Sequence, residues 1–274
     1  MSTLYVVATP IGNLEDITQR ALRILREVHV VAAEDTRKTK RLFNAYDIKT
    51  RLVSYHKHSP QSKLYQLLGE LEQHDIAIVS EAGTPAISDP GHELIKMAVD
   101  RSISIVCVPG PSAVITALVS SGLPTDRFLF LGFPPRKSGE KKQLLREIKG
   151  SPYTIIIFES PHRFQATLKD ILSVLGDRKI SVGRELTKLH EEIFRGTISE
   201  ALHHFERVKG EFTLVVEGNP SPNVSDTGID VEEELNRLYS QGASARDAIA
   251  EVAALSGVSK STLYQTWLRV SGDQ

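Results

Sequence analysis

Short, continuously apolar runs alternate with amphipathic stretches over the first 120 residues, and this alternation constrains the fold more than any other feature of the sequence. A strand that is apolar on both faces must be covered on both sides, as in a parallel sheet between two layers of helices. The sequence therefore predicts an α/β fold with a mostly parallel sheet. The expected strands are residues 4–8, 28–33, 76–80 and 103–108.

Apolar residues at helical spacing predict the covering helices. We expect helices at residues 16–28, 36–46, 64–71 and 112–120, and Pro90 should occupy the first turn of another helix. From about residue 121 the pattern restarts, with strands that look mixed rather than strictly parallel. This second block should contain strands at residues 128–132, 153–158, 180–185, 192–195 and 212–217, and helices at residues 139–148, 161–175 and 199–205.

A stretch rich in proline and serine separates this second block from a tail that should form three short helices. Residues 253–263 have the spacing of a helix-turn-helix, with Gly257 at the turn and Ser259 as the cap of the next helix. Seven acidic and four basic residues give the tail a net charge of −3, which favours a structural or RNA-positioning role over DNA reading. The expected segments are an N-terminal α/β domain (1–120), a mixed α/β domain (121–218), a linker (219–228) and a helical tail (229–274).

The composition argues against several classes of protein. The formal net charge of −1 gives no global attraction to a polyanion, although a local basic face suffices for RNA. The single cysteine, Cys107, cannot form a disulfide within the chain, which suits a reducing compartment. The N-terminus lacks the basic region of a signal peptide, and Pro109 and Pro111 interrupt the longest apolar region. We expect a cytoplasmic protein without a membrane segment.

Three loops rich in glycine and proline, residues 9–13, 80–85 and 109–113, follow three of the expected strands. Ligands of open α/β sheets bind at the carboxyl ends of the strands, so three such loops predict one pocket. The loops match neither a dinucleotide fingerprint nor a phosphate-binding loop, which disfavours NAD and ATP. The alternative is that glycine and proline only turn the chain. The residues expected to contact a ligand are Thr9, Pro10, Ser80, Glu81, Gly83, Thr84, Pro109, Gly110, Ser112 and Ala113.

Eight segments follow one another in a recognisable order. They are LYVVATPIGNLEDITQRA (4–21), AEDTR (33–37), AGTP (82–85), SDPG (88–91), PGPSA (109–113), ESPHR (159–163), RELTK (184–188) and GE (210–211). In these segments the chain resembles the ribosomal RNA small subunit methyltransferase I family, and the resemblance covers about residues 4–218. Glu81 departs from the family pattern, which has aspartate before Ala-Gly-Thr-Pro, so the role of this carboxylate stays open.

The resemblance implies the fold of the tetrapyrrole methylases, in which two α/β domains hold S-adenosyl-L-methionine in the cleft between them. It also implies an activity, the 2′-O-ribose methylation of a cytidine in 16S rRNA of the 30S subunit, and a homodimer. The pocket residues above are then the expected cofactor contacts.

Methyl transfer to a hydroxyl needs alignment of the acceptor oxygen and a group that takes its proton. Glu159 and His162 directly follow an expected strand and are the best-placed candidates for catalysis. Arg163 beside them could hold a phosphate or orient Glu159. The alternative is that Glu159 caps the following helix and Arg163 pairs with it at the surface.

Two basic segments at the same rim are candidate RNA contacts. One begins at Asp35, for which helix capping is the alternative role. The other follows Pro134 and Pro135, and its alternative is a solvated helix face. The expected RNA-binding residues are Asp35, Arg37, Lys38, Arg136, Lys137 and Lys141.

Two other functions remain open from the sequence. One is a methyltransferase of the same fold that acts on a tetrapyrrole such as a precorrin, and the other is a ligand-sensing DNA-binding regulator that reads with the tail. His56 and His58 have strand-like spacing but no further clustered ligand, so we expect no metal site.

Overall fold

The structure is a computed structural model, and it describes residues 2–205, 209–219, 230–256 and 258–272. Residues 220–228 of the expected linker, and the expected turn residue Gly257, lie outside the described residues. Within them, no helix is long and apolar enough to cross a membrane.

The N-terminal unit is built on a five-stranded sheet in which all strands are parallel, as the sequence predicted. The sheet has the order β3-β2-β4-β1-β5. Its strands are β1 (Thr3–Val7), β2 (Val30–Ala33), β3 (Arg51–Ser54), β4 (Ile76–Val79) and β5 (Ser104–Val108).

Helices cover both faces of this sheet because successive side chains of a strand point to opposite sides. On one face Val31 and Val79 pack with Leu25, and on the other Ala32 and Ile78 pack with Leu67. The helices that cover this sheet are α1 (Gln19–Glu27), α2 (Thr36–Ala45), α3 (Gln61–Leu71) and α4 (His92–Asp100), and α5 (Ala113–Ser121) follows β5.

Three details differ from the sequence-based expectation. β3 was not predicted, because this four-residue edge strand has no fully buried side chain. The expectation for Pro90 was wrong, since Gly91 caps α4 and Pro90 precedes the cap. α5 was expected to complete the first unit, but it packs on the second sheet through Val114 and Leu118.

The second sheet is mixed, as expected, and has the order β6-β7-β10-β8-β9. Only the β6–β7 pair is parallel, and the other three pairs are antiparallel. The strands are β6 (Phe128–Phe130), β7 (Thr154–Glu159), β8 (Lys179–Arg184), β9 (Glu192–Thr197) and β10 (Phe212–Val216). The helices of this unit are α6 (Ser138–Glu147), α7 (Pro161–Leu175) and α8 (Ile198–His204).

The tail forms the three predicted helices, α9 (Val231–Ser240), α10 (Ala245–Ser256) and α11 (Lys260–Ser271). Ser259 caps α11 as predicted, by accepting a hydrogen bond from Thr262 N. The helices share a buried core of their own around Leu235, Val252 and Trp267. A separate core of this kind supports treating the tail as a separate structural unit.

Candidate active site

The three glycine- and proline-rich loops meet at the carboxyl ends of β1, β4 and β5. Thr9 and Gly83 exchange two backbone hydrogen bonds, with N···O distances of 2.9 and 3.0 Å. The Thr84 hydroxyl donates to Pro111 O at 3.5 Å. The predicted convergence of the loops is therefore present in the structure.

A cavity of about 460 Å³ opens between these loops and the second unit. Its size is in the range of small-molecule sites. From the N-terminal unit it is lined by Ile11, Glu34, Glu81, Ala82, Gly83, Thr84, Ile87, Asp89, Ser112, Ala113 and Val114. From the second unit it is lined by Phe133, Phe158, Glu159, Ser160, Pro161, Leu186, Glu211, Phe212 and Thr213.

Half of the predicted ligand contacts line this cavity, and the other half do not. Thr9 and Ser80 are buried, and the Ser80 hydroxyl donates to Gly83 O at 3.3 Å. A Cβ on Gly110 would lie 3.0 Å from the Cβ of Ala8, so this glycine permits packing between two loops. The predicted residues that line the cavity are Glu81, Gly83, Thr84, Ser112 and Ala113, and those that do not are Thr9, Pro10, Ser80, Pro109 and Gly110.

The loop after β4 holds a strained backbone beside the cavity. Gly83 has φ +79°, which glycine adopts freely, but Ala86 and Ser88 have φ of 68° and 64°. Non-glycine residues adopt such angles rarely and at an energetic cost, and they cluster at functional sites. Between the two strained residues, Ile87 is held in an exposed position at the cavity.

Three carboxylates line the N-terminal side of the cavity. Glu34 Oε2 accepts a hydrogen bond from Glu81 N at 3.3 Å, and the Glu81 carboxylate pairs with the Lys38 ammonium. Burial and then the charge of Glu34 raise the pKa of Asp89 to about 6, against the effect of a hydrogen bond from Ser80. Burial also raises the pKa of Glu34. Glu34 and Asp89 lie in segments that carry the family resemblance, but neither was predicted as a site residue.

The Glu159 carboxylate, at the end of β7, is fully enclosed. Its side chain is 0% exposed, and Oε1 accepts from Ser160 N at 2.8 Å and from Ser160 Oγ at 3.3 Å. Oε2 accepts from the Thr167 hydroxyl at 2.6 Å. The guanidinium of Arg163 approaches Oε1 to 3.4 Å. Because both oxygens are already engaged, this geometry favours a structural role over proton uptake from a substrate.

Lys141 points inward rather than towards solvent. Its side chain is 3% exposed, its ammonium donates to the Thr167 hydroxyl at 2.8 Å, and it lies 3.1 Å from Asp170 Oδ2. Ser138 donates to Asp170 Oδ1 at 2.8 Å. This burial speaks against the expected RNA contact by Lys141, which instead joins α6 to α7 and reaches Glu159 only through the Thr167 hydroxyl.

The other two residues of the expected catalytic group do not face the cavity. His162 is exposed on the first turn of α7 and, in the described part of the chain, is not among the lining residues. Arg163 donates from Nη2 to Pro134 O at 2.6 Å and to Pro135 O at 3.0 Å. Arg163 therefore fastens the loop before α6 to α7.

A segment of the second unit that the site prediction omitted closes the cavity against the first loop. Glu185 and Thr187 have φ of 52° and 65°, and Leu186 between them lines the cavity. Asn13 N donates to the Thr187 hydroxyl at 3.1 Å. A Cβ on Gly12 would lie 2.4 Å from Lys188 Cγ, so only glycine permits this contact between the units.

The remaining basic candidates follow lining residues closely in the chain: Arg37 is three residues after Glu34, and Arg136 and Lys137 are three and four residues after Phe133. Asp35 caps α2 by accepting from Arg37 N at 2.8 Å, which confirms the capping alternative for this residue. The Arg37 side chain is 90% exposed. Arg136 and Lys137 are exposed directly after the Pro134–Pro135 loop. Arg37, Arg136 and Lys137 can thus contact a large anionic substrate at the rim.

The two histidines considered for a metal contact each other instead. His58 N donates to His56 Nδ1 at 3.2 Å. Across the residues that the structure describes, no group of three or more histidine, cysteine or acidic side chains is arranged to hold a metal ion.

The fold and the cavity between two α/β units define the class of this protein. Residues 3–202 match the family model described as Tetrapyrrole (Corrin/Porphyrin) Methylases, and the chain belongs to this family of methyltransferases. A solved structure of a cobalt precorrin-4 methyltransferase shares the fold, with a TM-score of 0.59 and 19% identity over 78% of this chain and 94% of that one. The predicted fold class is therefore confirmed.

Curated relatives define the family more narrowly. The chain is 46% identical over 272 residues to ribosomal RNA small subunit methyltransferase I of Halalkalibacterium halodurans, a match that covers 97% of this chain and 94% of the relative. It is 43% identical over 275 residues to the protein of that name in Bacillus subtilis, with the same coverage. The chain therefore belongs to the ribosomal RNA small subunit methyltransferase I family, which confirms the resemblance.

Proposed function

We propose that this protein transfers a methyl group from S-adenosyl-L-methionine to the ribose 2′-hydroxyl of a cytidine in 16S rRNA, on the 30S subunit and in the cytoplasm. The observation that carries the proposal is the similarity, over nearly the whole chain, to relatives named for methylation of small-subunit ribosomal RNA. The exposed basic residues that follow Glu34 and Phe133 in the chain support an RNA substrate.

The cavity has the size of a small-molecule site, and its lining is chemically suited to S-adenosylmethionine. Ile11, Phe158 and Leu186 supply apolar walls, and Gly83 brings backbone close to a bound molecule without a side chain in between. S-adenosylmethionine supplies a methyl group on a positively charged sulfur. The carboxylates of Glu34, Glu81 and Asp89 complement such a cation. Methyl transfer from a sulfonium requires no metal, and we propose none.

We place the group that accepts the proton of the ribose hydroxyl on the N-terminal wall of the cavity. Asp89 lines the cavity, and a carboxyl group with a pKa of about 6 is a better proton acceptor near neutral pH than an ordinary aspartate. The Glu159 carboxylate, whose oxygens accept from Ser160 and Thr167, would instead hold the turn that forms the opposite wall. We assign proton acceptance to Asp89, beside Glu34.

We also propose the division into an N-terminal domain (1–120), a second domain (121–218), a linker (219–228) and a tail (229–274), and a homodimeric assembly. The independent core of the tail supports its boundary. Because α5 ends near the first boundary and packs on the second sheet, the two units are in contact at this boundary.

The test is methyl transfer in vitro with three acceptors. The protein and methyl-labelled S-adenosylmethionine are incubated with 30S subunits from cells that lack the protein, with a precorrin, and with duplex DNA. The proposal predicts label in 16S rRNA only, at a cytidine whose 3′ phosphodiester bond resists alkaline hydrolysis. Label in the precorrin, or the absence of label from 16S rRNA, would contradict it.

A further inference from the structure

Two large apolar side chains are exposed where the cavity opens. Phe133 is 55% exposed and Ile87 is 47% exposed, although both line the cavity. Exposed apolar groups at the mouth of a concave site commonly mark a binding surface. One comes from each unit, so they lie on opposite sides of the boundary between the units.

The ring of Phe133 is held firmly in this exposed position. Gly132 O accepts from Phe158 N at 2.9 Å, and Arg163 donates to the carbonyls of Pro134 and Pro135. The Phe133 ring lies 5.5 Å from the Phe158 ring, between centroids, at 56°. Backbone anchors on both sides and one ring contact fix the residue while leaving its outer face free.

The loop that carries Ile87 packs directly against Gly132. Gly132 has φ +62°, and a Cβ there would lie 2.7 Å from Ser88 Oγ. The close approach of Ser88 to Gly132 brings Ile87 and Phe133 to the same end of the cavity. Ile87 itself is held between two residues with strained backbone, so both apolar groups are preorganised.

We propose that Phe133 and Ile87 form a clamp for a nucleobase of the RNA substrate, in which the base stacks on the Phe133 ring with Ile87 on its other side. This inference rests on the proposed function. Proteins that recognise RNA stack unpaired bases on aromatic side chains, and enzymes that act on a base hold it between aromatic and apolar side chains. Arg136 and Lys137 follow Phe133 within four residues and are exposed, so their positive charges can bind the neighbouring phosphates of the RNA.

The test compares Phe133→Ala with Phe133→Tyr, and uses Tyr65→Ala as a matched control. Tyr65 is 50% exposed on α3 and is not a lining residue in the described part of the chain. We measure KM for 30S subunits from cells lacking the protein, and the Kd of S-adenosylmethionine by calorimetry. Stacking on an aromatic ring predicts a KM that rises about 5- to 100-fold in Phe133→Ala. Phe133→Tyr and Tyr65→Ala should keep the wild-type KM, and the cofactor Kd should not change.

Three results would overturn the inference. If the wild-type protein is active and Phe133→Ala has the same KM, the clamp is ruled out and the proposed function is unaffected. If Phe133→Ala raises the Kd of S-adenosylmethionine and leaves KM unchanged, the ring contacts the adenine of S-adenosylmethionine instead of a base of the RNA. No methylation of 30S subunits by the wild-type protein removes the proposed function and the clamp together.

Discussion

The Thr167 hydroxyl lies 2.6 Å from Oε2 of Glu159, and both side chains are fully buried. The Lys141 ammonium donates to the same hydroxyl at 2.8 Å. An ammonium can only donate, so the single proton of the hydroxyl must point to Glu159. The hydroxyl thus joins a buried cation to a buried carboxylate and fixes the end of β7, where the wall of the cavity begins.

This relationship predicts the effect of removing the hydroxyl. Thr167→Val keeps the shape but leaves Glu159 and Lys141 each without one buried partner, so we expect a loss of about 3 kcal/mol in the free energy of unfolding. Thr167→Ser keeps the hydroxyl and removes one methyl group, at a cost of about 1 kcal/mol. Urea unfolding of the three proteins measures the difference. Equal losses in the two variants would show that the hydroxyl contributes nothing.

A second prediction concerns Gly83 and uses Gly122 as its control. The two glycines have φ of +79° and +77°, so alanine at either position introduces similar backbone strain of about 1 kcal/mol. Only Gly83 lines the cavity, and a Cβ there would lie 3.3 Å from Ile11 Cγ2, whereas a Cβ on Gly122 meets nothing within 4 Å. We expect Gly83→Ala to weaken S-adenosylmethionine binding about 10-fold and Gly122→Ala to leave it unchanged by calorimetry. Equal affinities in both variants would take this loop out of the cofactor site.

A third prediction follows from the pKa of Asp89. A pKa raised from 3.8 to about 6 means that, between these pH values, the folded protein binds a proton that the unfolded chain has released. The free energy of unfolding contributed by Asp89 therefore falls as pH rises from about 4 to about 6. Asp89→Asn lacks this decline, so its melting temperature relative to the wild type should rise over that interval and then stay constant.

The pKa of Asp89 also predicts how the rate of methyl transfer depends on pH. If Asp89 accepts the proton, the wild-type rate falls as pH drops through about 6, and Asp89→Asn is slow at every pH even at saturating S-adenosylmethionine. Parallel stability curves for the two proteins from pH 4 to 7 would contradict the shifted pKa. A fast Asp89→Asn enzyme would contradict the assignment of the proton acceptor.

A fourth prediction concerns the basic rim. Replacing Arg37, Arg136 and Lys137 with glutamine should weaken binding to 30S subunits and lower the slope of log affinity against log salt by about 2 to 3, since each phosphate contact contributes about 0.7 to 0.9. The control replaces three exposed basic residues outside the rim, Lys96, Arg101 and Lys179. Filter binding across a salt series measures both slopes. A rim variant with the same slope as the control would make this surface an ordinary solvated face.

Elements with strong periodicity were predictable from the sequence, and α7 begins and ends where expected, at Pro161 and Leu175. β3 was not, because an edge strand with little burial lacks a continuous apolar signature. The convergence of three loops was also predictable, since the carboxyl ends of parallel strands share one edge of the sheet.

The contacts of individual side chains could not be predicted from the sequence in the same way. Lys141 looked like part of a basic surface, although its spacing of four residues from the buried Leu145 was a signal that it shares the inner face of α6. The site role of Asp89 depends on a strained loop and on burial, neither of which has a local sequence pattern. The engagement of Glu159 depends on Thr167, which is contributed by the second turn of the following helix.

The most direct test of the central claim is a map of 2′-O-methyl groups on 16S rRNA from cells with the gene, without it, and without it but complemented by wild-type or Gly83→Ala protein. We expect one cytidine that carries the modification in wild-type cells, loses it on deletion, regains it with the wild-type protein, and regains it less completely with the variant. An identical 2′-O-methyl pattern in wild-type and deletion cells would contradict the proposed function.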